Sequence, residues 1–314
     1  MGVELHQLQI LRELGALGSV TAVADALRVT PSAVSQQLAT LQRSFPAPLT
    51  RRRGRTLVLT SAGEVLAAAG AEAIDAMAAA RHALDDFEGA ATGEVSVSGF
   101  HSVGQALFGP LVRELSGKEH APTVNLTDED VAQSEFPGLT ARYDLVLAHR
   151  MEHSAPWPED GIRTVGLVRE PLDVAVAADH PLADRRTLSP EDIADEQWVT
   201  SRVGYSPDDV LRAVAAVARR PVEVRHRIND YGAVSAVVAA GGVVGMLPRF
   251  TSRSVDDRDI VRIPLRGVST HRIIDVLARP ENLRRRSVRV VVDALRQVMT
   301  RLRDERSGEG DGGG

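Results

Sequence analysis

Residues Gly18 to Gly63 read GSVTAVADALRVTPSAVSQQLATLQRSFPAPLTRRRGRTLVLTSAG. Thr21 stands where a helix N-cap is wanted, because its hydroxyl can accept a hydrogen bond from a free N–H of the first turn. Ala22, Val23, Ala26 and Leu27 follow at spacings of three and four and make one apolar face. Ala24 is small enough for close helix packing. Arg28 and Val29 supply a turn. Thr30 then caps a second helix, with Pro31 at its first position, where a missing N–H costs nothing. Val34, Leu38 and Leu41 mark the buried side of that helix, while Ser32, Ser35, Gln36, Gln37 and Thr40 lie on its other sides. Arg51, Arg52, Arg53 and Arg55 cluster around Gly54, and Leu57, Val58 and Leu59 return as the second strand of a hairpin. Two short helices across a tight turn, then a basic hairpin, predict a winged helix-turn-helix. Its second helix lies in the DNA major groove and its hairpin touches the backbone. Amides can pair with an adenine edge, and hydroxyls with phosphates or several bases. A run of arginines alone is commonly a solvated surface. One hairpin after a helix-turn-helix, it is expected to grip phosphates.

The stretch resembles the LysR-type transcriptional regulators. The resemblance rests on VTPSAVSQQLATL (Val29 to Leu41), then Pro48 and Leu49, a basic wing, and LTSAG (Leu59 to Gly63), in that order and without gaps. Three positions depart from the family's habit, which is a basic residue at Gln36, a glutamate at Gln42 and a glycine at Pro46. The resemblance implies DNA contacts from Thr30, Pro31, Ser32, Ser35 and Gln36, with Arg53 and Arg55 on the backbone. It also implies a C-terminal effector-sensing domain. PLDVAVAADHPLA (Pro171 to Ala183) and GGVVGMLP (Gly241 to Pro248) look like that domain's usual sequence.

The chain has 314 residues, 43% of them apolar, enough for two or three domains. It has no cysteine, which excludes disulfides, thiolate metal sites and cysteine nucleophiles together. No run of about 18 apolar residues is present, so no membrane span is expected. The start MGVELHQLQ lacks the layout of a signal peptide, and the expected location is the cytoplasm of a bacterium. The net charge of −5 is unevenly spread. Residues 1–60 hold seven arginines against Glu4, Glu13 and Asp25, a net of +4, which leaves −9 for the remainder. Positive charge gathers where DNA would lie, and the rest repels it.

Leu5 to Leu17 predicts a first helix, with Leu5, Leu8, Leu11 and Leu14 recurring every three residues. Ser61 to Phe87 predicts a long alanine-rich helix with a ridge of Val65, Leu66, Ala69, Ala73, Met77, Ala80 and Leu84. Two readings stand open for it: packing on its own domain, or pairing two subunits. The stripe's length favours self-association, and in the resembled family this linker helix forms the dimer. Gly89 to Gly93 reads as a hinge. Beyond it, strands (95–100, 123–128, 143–150, a DVAVAA strand, 222–228, 243–248, 271–280) alternate with helices (102–115, a short one to 139, 208–219, 233–240, 287–303). That alternation implies a parallel sheet with helices on both faces. The expected fold class is α/β: an N-terminal winged helix-turn-helix over residues 1–60, a linker helix over 61–88, and a periplasmic-binding-protein-like domain over 89–305. Its subdomain I spans about 93–165 and 268–305, and subdomain II about 166–267. Residues 306–314 cannot bury a core and are expected to be a disordered tail.

Ligands of open parallel sheets bind beyond the carboxyl ends of strands, often at helix N-termini. That places candidate effector contacts at Phe100, His101, Ser102, Val103, Asp128, His149, Ser201, Arg202, Asn229 and Gly245, with Asp230 beside them. Ser102 is either a helix cap or an anion contact. The mixed charges suit a zwitterion such as an amino acid better than a plain carboxylate. His149 and His153 follow a strand, so helical pairing of metal ligands is not available to them. Arg284, Arg285 and Arg286 read as a solvated face. No nucleophile–base pair, HExxH or P-loop can be argued from spacing. The expectation is a regulator that is not an enzyme and takes no cofactor or metal. Its expected partners are double-stranded DNA, a small-molecule effector and further copies of itself as a homodimer or homotetramer. RNA polymerase is a further partner consistent with the reading, and a membrane is not. The competing reading is a small-molecule-binding or enzymatic α/β protein with a helical oligomerisation module, which predicts no salt-dependent DNA affinity.

Overall fold

The computed structural model describes residues 2–54, 56–88, 92–252 and 259–308. The leucines at every third position fold into α1 (Leu5–Leu17), which buries Leu8, Leu11 and Leu14. Gly18 ends it in the left-handed region, at φ 69°, and its N–H reaches the Leu14 carbonyl. The chain leaves that glycine extended at Ser19, so Ser19 rather than the expected Thr21 caps α2 (Val20–Leu27), accepting from the Ala22 N–H at 3.0 Å. Thr21 already lies inside the helix. For α3 (Pro31–Gln42) the expected cap holds: Thr30 accepts from the Ala33 N–H at 3.1 Å. Val34, Leu38 and Leu41 of α3 join Leu11, Leu14 and Val23 in one core. The hairpin of β1 (Thr50–Arg53) and β2 (Thr56–Leu59) sets Arg51 opposite Val58 and Arg53 opposite Thr56.

The long helix α4 (Ser61–Glu88) packs one side against the helical head. Its Gly63, Ala67 and Gly70 are buried towards the helical head, and Leu8 lies 3.0 Å from where a Gly70 Cβ would stand. At Gly63 a Cβ would overlap the Leu49 carbonyl oxygen, so only glycine lets α4 start this close to the hairpin. The other side is open, with Val65 71% and Met77 44% exposed. The expected hinge at Gly89 to Gly93 falls largely outside the described residues.

Two lobes follow. The first in chain order comprises β3 (Glu94–Gly99), α5 (His101–Leu115), β4 (Thr123–Asp128), α6 (Phe136–Leu139) and β5 (Leu145–Met151). β6 (Arg163–Ala177) then runs unbroken into the second lobe. There come α7 (Pro190–Ile193), β7 (Gln197–Thr200), α8 (Ser206–Ala218), β8 (Glu223–Arg227), α9 (Tyr231–Ala239), β9 (Val244–Pro248) and β10 (Ile260–Ile263). The chain returns through β11 (His271–Ala278), α10 (Pro280–Arg284) and α11 (Arg286–Gly308). Strands pair in the order β4-β3-β5-β11-β6-β9-β7-β8, with β10 also on β6.

The expected parallel sheet is corrected to a mixed one. β11 is antiparallel to both β5 and β6, and β6 is antiparallel to β9 and β10. The chain crosses between lobes once outward on β6 and once back into β11, and two such strands must run in opposite directions. β6 pairs with β11 as far as Pro171 and with β9 from Leu172. The unit expected to begin at Gly166 therefore begins inside a strand. Lobe I centres on Val97, Leu107, Leu147, Val276 and Leu295, and lobe II on Leu172, Val174, Trp198, Val214 and Met246. At the C-terminus Arg306 to Gly308 are helical rather than disordered, and 309–314 lie outside the described residues.

Candidate DNA-binding head and effector cleft

On α3 the residues facing away from the core are Pro31, Ser32, Ser35 and Gln36, all exposed and none carrying charge. Ser35 donates to its own Pro31 carbonyl at 2.9 Å and is otherwise open. Gln37 is turned inward instead, held by His6 at 2.9 Å and Gln7 at 3.2 Å. Gln42 ties the loop that follows α3: it accepts from the Leu49 N–H and donates to the Phe45 and Ala47 carbonyls. That explains how Pro46 is tolerated, since the helix ends in right-handed geometry at Arg43 and needs no left-handed residue. Alternation in the wing sends Leu57 and Leu59 against the head's core, while Arg51, Arg52 and Arg53 stay exposed. Arg55 lies outside the described residues. Between the start of α2, α3 and the wing runs a groove of about 360 Å³, lined by Ser19, Thr21, Ser35, Arg52 and Thr56 among others.

The second site lies where the lobes face each other. Phe100, His101, Ser102, His149, Ser201 and Asn229 of the expected set meet there. With them stand Asp130, Tyr205, Ser206, Pro207, Tyr231 and Arg272, which sequence reasoning missed. Tyr205 to Pro207 open α8 and carried a usable signal, a Ser-Pro pair at a helix start. Arg272 carried none, being one cation in an otherwise strand-like run.

Four expected contacts go elsewhere. Gly245 is core: a Cβ there would meet Val234, Val238 and Val199 at 3.0 to 3.2 Å. Val103 is fully buried in lobe I, since it points down the apolar face of α5. The Arg202 side chain is exposed, and only its N–H turns inward, to Asn229 at 3.0 Å. Asp128 is at the rim. Ser102 neither caps α5 nor stands free: Arg272 donates to it at 3.1 Å.

A buried ion pair organises the cleft wall. Glu170 and Arg272 are 0% and 1% exposed, and the Arg272 Nη2 lies 2.8 Å from Glu170 Oε2. Glu170 also accepts from the Phe250 and Thr251 N–H groups, at 2.7 and 2.6 Å. The Arg272 guanidinium lies 5.2 Å over the Phe100 ring and 5.8 Å over that of Tyr231, at cation–π distance. His149 is wedged against Phe100 and Phe136, with its Nδ1 3.0 Å from the Ser206 hydroxyl. Burial, assisted by Arg272, lowers its pKa to about 3, so the ring is neutral at physiological pH.

Polar contacts tie the lobes together across the mouth. His101 lies 3.3 Å from Asp128 on its own lobe and 2.5 Å from Asp230 on the other. Burial works against its charge, but the hydrogen bonds and charges of Asp128 and Asp230 outweigh that and hold its pKa above the ordinary value. Asn229 donates to the Asp130 carboxylate at 3.1 Å, and Tyr205 to the Asp130 carbonyl at 3.3 Å. The gap among these groups measures about 20 Å³. Small-molecule pockets run to about 300–1,000 Å³, and this gap is far smaller than that.

A helix-turn-helix head with a basic wing, a long helix and a two-lobed α/β domain together define a ligand-responsive DNA-binding protein. Residues 5–64 match the bacterial regulatory helix-turn-helix protein, lysR family, and residues 88–300 match the LysR substrate binding domain. The chain belongs to the LysR family of transcriptional regulators. It is 31% identical over 257 residues to the small neutral protease regulatory protein of Streptomyces coelicolor, covering 78% of this chain and 73% of that one. It is 25% identical over 284 residues to the transcriptional dual regulator GltC of Bacillus subtilis, covering 89% and 92%. Among solved structures, a full-length OxyR variant from Pseudomonas aeruginosa shares the fold at TM-score 0.67 and 18% identity, over 94% of this chain and 95% of that one. Full-length CbnR in complex with its target DNA aligns at TM-score 0.52 and 20% identity, over 95% and 100%. The family is one of transcriptional regulators with an effector-binding domain. Among the described residues no helix is long and apolar enough to cross a membrane, and no group of three or more metal-ligating side chains converges.

Proposed function

We propose that the chain reads a specific double-stranded DNA site in the cytoplasm through Ser32, Ser35 and Gln36 of α3, with Thr30 and Pro31 setting the helix start. Arg53 and Arg55 of the wing hold phosphates. The observation that carries this is the uncharged, hydrogen-bonding face of α3, left exposed beside the exposed arginines of β1. Phosphate contacts carry no sequence information, whereas hydroxyls and amides placed in the groove can read base edges. A second copy pairs along the open side of α4, where Val65, Leu66 and Ala69 continue an apolar groove with Phe45, Pro46 and Leu49. The effector enters between the lobes and touches Phe100, His101, Ser102, His149, Ser201 and Asn229. Carboxylates at Asp128, Asp130 and Asp230 suit the ammonium end of an amino acid, and the Ser102, Ser201 and Ser206 hydroxyls lining the same gap suit its carboxylate.

The test is binding to the DNA upstream of its own gene at several salt concentrations, with scrambled DNA as competitor. Tight, salt-steep and competitor-resistant binding is the expected result, and Arg53→Ala is expected to weaken all sequences alike and lower the salt slope by about one. Failure of the wild-type chain to bind at low salt would overturn the reading.

A further inference from the structure

Two arginines and two glutamates meet where the head touches lobe I. Glu13 of α1 accepts from Arg12 at 2.9 and 3.0 Å through one oxygen, and from Arg279 at 2.9 Å through the other. Arg12 also donates to Glu281 of α10 at 2.7 Å. The side chains of Glu13 and Arg279 are 1% and 6% exposed, and those of Arg12 and Glu281 only 10% and 14%. A second tie lies alongside: Arg284 of α10 grips Asp75 of α4 with two bonds of 2.6 Å. Arg285 is likewise paired, with Asp144 at 2.6 Å, so the run expected as a solvated face carries ion pairs while Arg284 and Arg286 stay exposed.

We propose that the Arg12–Glu13–Arg279–Glu281 cluster is a reversible latch that holds the DNA-binding head on lobe I. This rests on reading the chain as a DNA-binding regulator governed from its C-terminal cleft. Apolar interfaces resist opening because their surface gains nothing from water. A buried charge cluster differs, because each ion regains hydration when the parts separate, and that offsets the lost attraction. Docked and free heads therefore lie close in free energy, which is the condition for a switch. The cluster is also incompletely satisfied, since the buried Arg279 Nε has no hydrogen-bond partner. Room to move adjoins it, a cavity of about 380 Å³ bordered by Gly15, Ala68, Pro137 and Arg279. Its position connects it to the cleft. Arg272 sits near the start of β11 against Phe100 and Tyr231, and Arg279 follows the strand's end, about 23 Å further at 3.3 Å per residue. β11 is hydrogen-bonded on both sides, to β5 and β6, so it moves as a unit.

The experiment uses the full chain carrying Glu13→Gln, Arg279→Gln or both. Amide hydrogen exchange in α1 and α10 is read against the lobe I strands β3 and β5, alongside affinity for the upstream DNA. Each single variant is expected to speed exchange in α1 and α10 at least tenfold, leave β3 and β5 unchanged, and shift DNA affinity at least fivefold. The double variant is expected to go no further than the singles. Should Arg279→Gln fail to fold, seen as fast exchange in β3 and β5, Glu281→Gln at the wetter edge serves with the same expectations. Variants that match the wild type in α1 and α10 exchange, or in DNA affinity, overturn the latch. A wild-type chain without salt-dependent DNA binding overturns the functional reading instead, and the exchange measurement still decides whether the head is docked.

Discussion

Replacing Glu170 by glutamine keeps the shape of the cleft wall and removes its charge. The consequence can be worked out from the bonds Glu170 makes. One oxygen accepts from the Phe250 and Thr251 N–H groups, and the other from the Thr251 hydroxyl and Arg272. Glutamine has one acceptor oxygen, so either the backbone pair or the guanidinium faces an NH2 group. Each buried donor left without an acceptor costs about 1–3 kcal/mol, and a buried arginine stripped of its counter-charge costs about 3–5 kcal/mol in all. Urea unfolding followed by tryptophan fluorescence is the assay. The chain's two tryptophans, Trp157 and Trp198, belong one to each lobe's core. Adding Arg272→Met removes the stranded charge, and the Glu170→Gln/Arg272→Met double variant should recover to within about 2 kcal/mol of the wild type. A Glu170→Gln chain within about 1 kcal/mol of the wild type, or a double variant as unstable as the sum of the singles, would refute the argument.

Two further outcomes follow from other parts of the fold. His101 has a pKa held above the ordinary 6.5 in the folded chain. Its contribution to lobe closure is therefore complete below about pH 6.5 and lost as pH rises through the raised value. Urea midpoints between about pH 6 and pH 9 should fall more for the wild type than for His101→Gln, and parallel profiles would sink the assignment. Gly63→Ala drives a methyl group into the Leu49 carbonyl. It should cost the head about 3 kcal/mol, visible as lost helical circular dichroism at a lower urea concentration while tryptophan fluorescence is unchanged; an unaltered head would contradict the close approach.

The head was legible because its determinants are local. Thr30, Pro31 and the buried triad Val34, Leu38 and Leu41 specify α3 within a dozen residues, and the structure keeps every one of those roles. The cap of α2 was misread by two positions because the backbone turn at Gly18, not the hydroxyl's presence, decides which side chain faces the free N–H groups. In the C-terminal domain the strands were readable and their directions were not. Alternation of strand and helix carries no record that β6 spans both lobes or that β11 lies antiparallel beside it. The same limit hid Glu170 and Arg272, 102 positions apart in sequence and paired only by strand register. It made Gly245 look like a cleft residue when its missing side chain serves the packing of α9 on β9.

The continuous β6 also sets how the lobes can move. Among the described residues two strands of chain join them, outward at Pro171 to Leu172 and back at Thr270 to His271, and the Leu172 N–H bonds the Thr270 carbonyl at 3.1 Å. Glu170 and Arg272 flank that crossing in register, and the Glu170 carboxylate also holds residues 250 and 251, just past the end of β9. Any parting of the lobes has to bend these two strands at the point where the Glu170–Arg272 pair sits, and that pair also touches Ser102 and Phe100 of lobe I and Tyr231 of lobe II. The two strands that carry the chain between the lobes are thus also the ones whose side chains, Glu170 and Arg272, form the buried wall of the cleft.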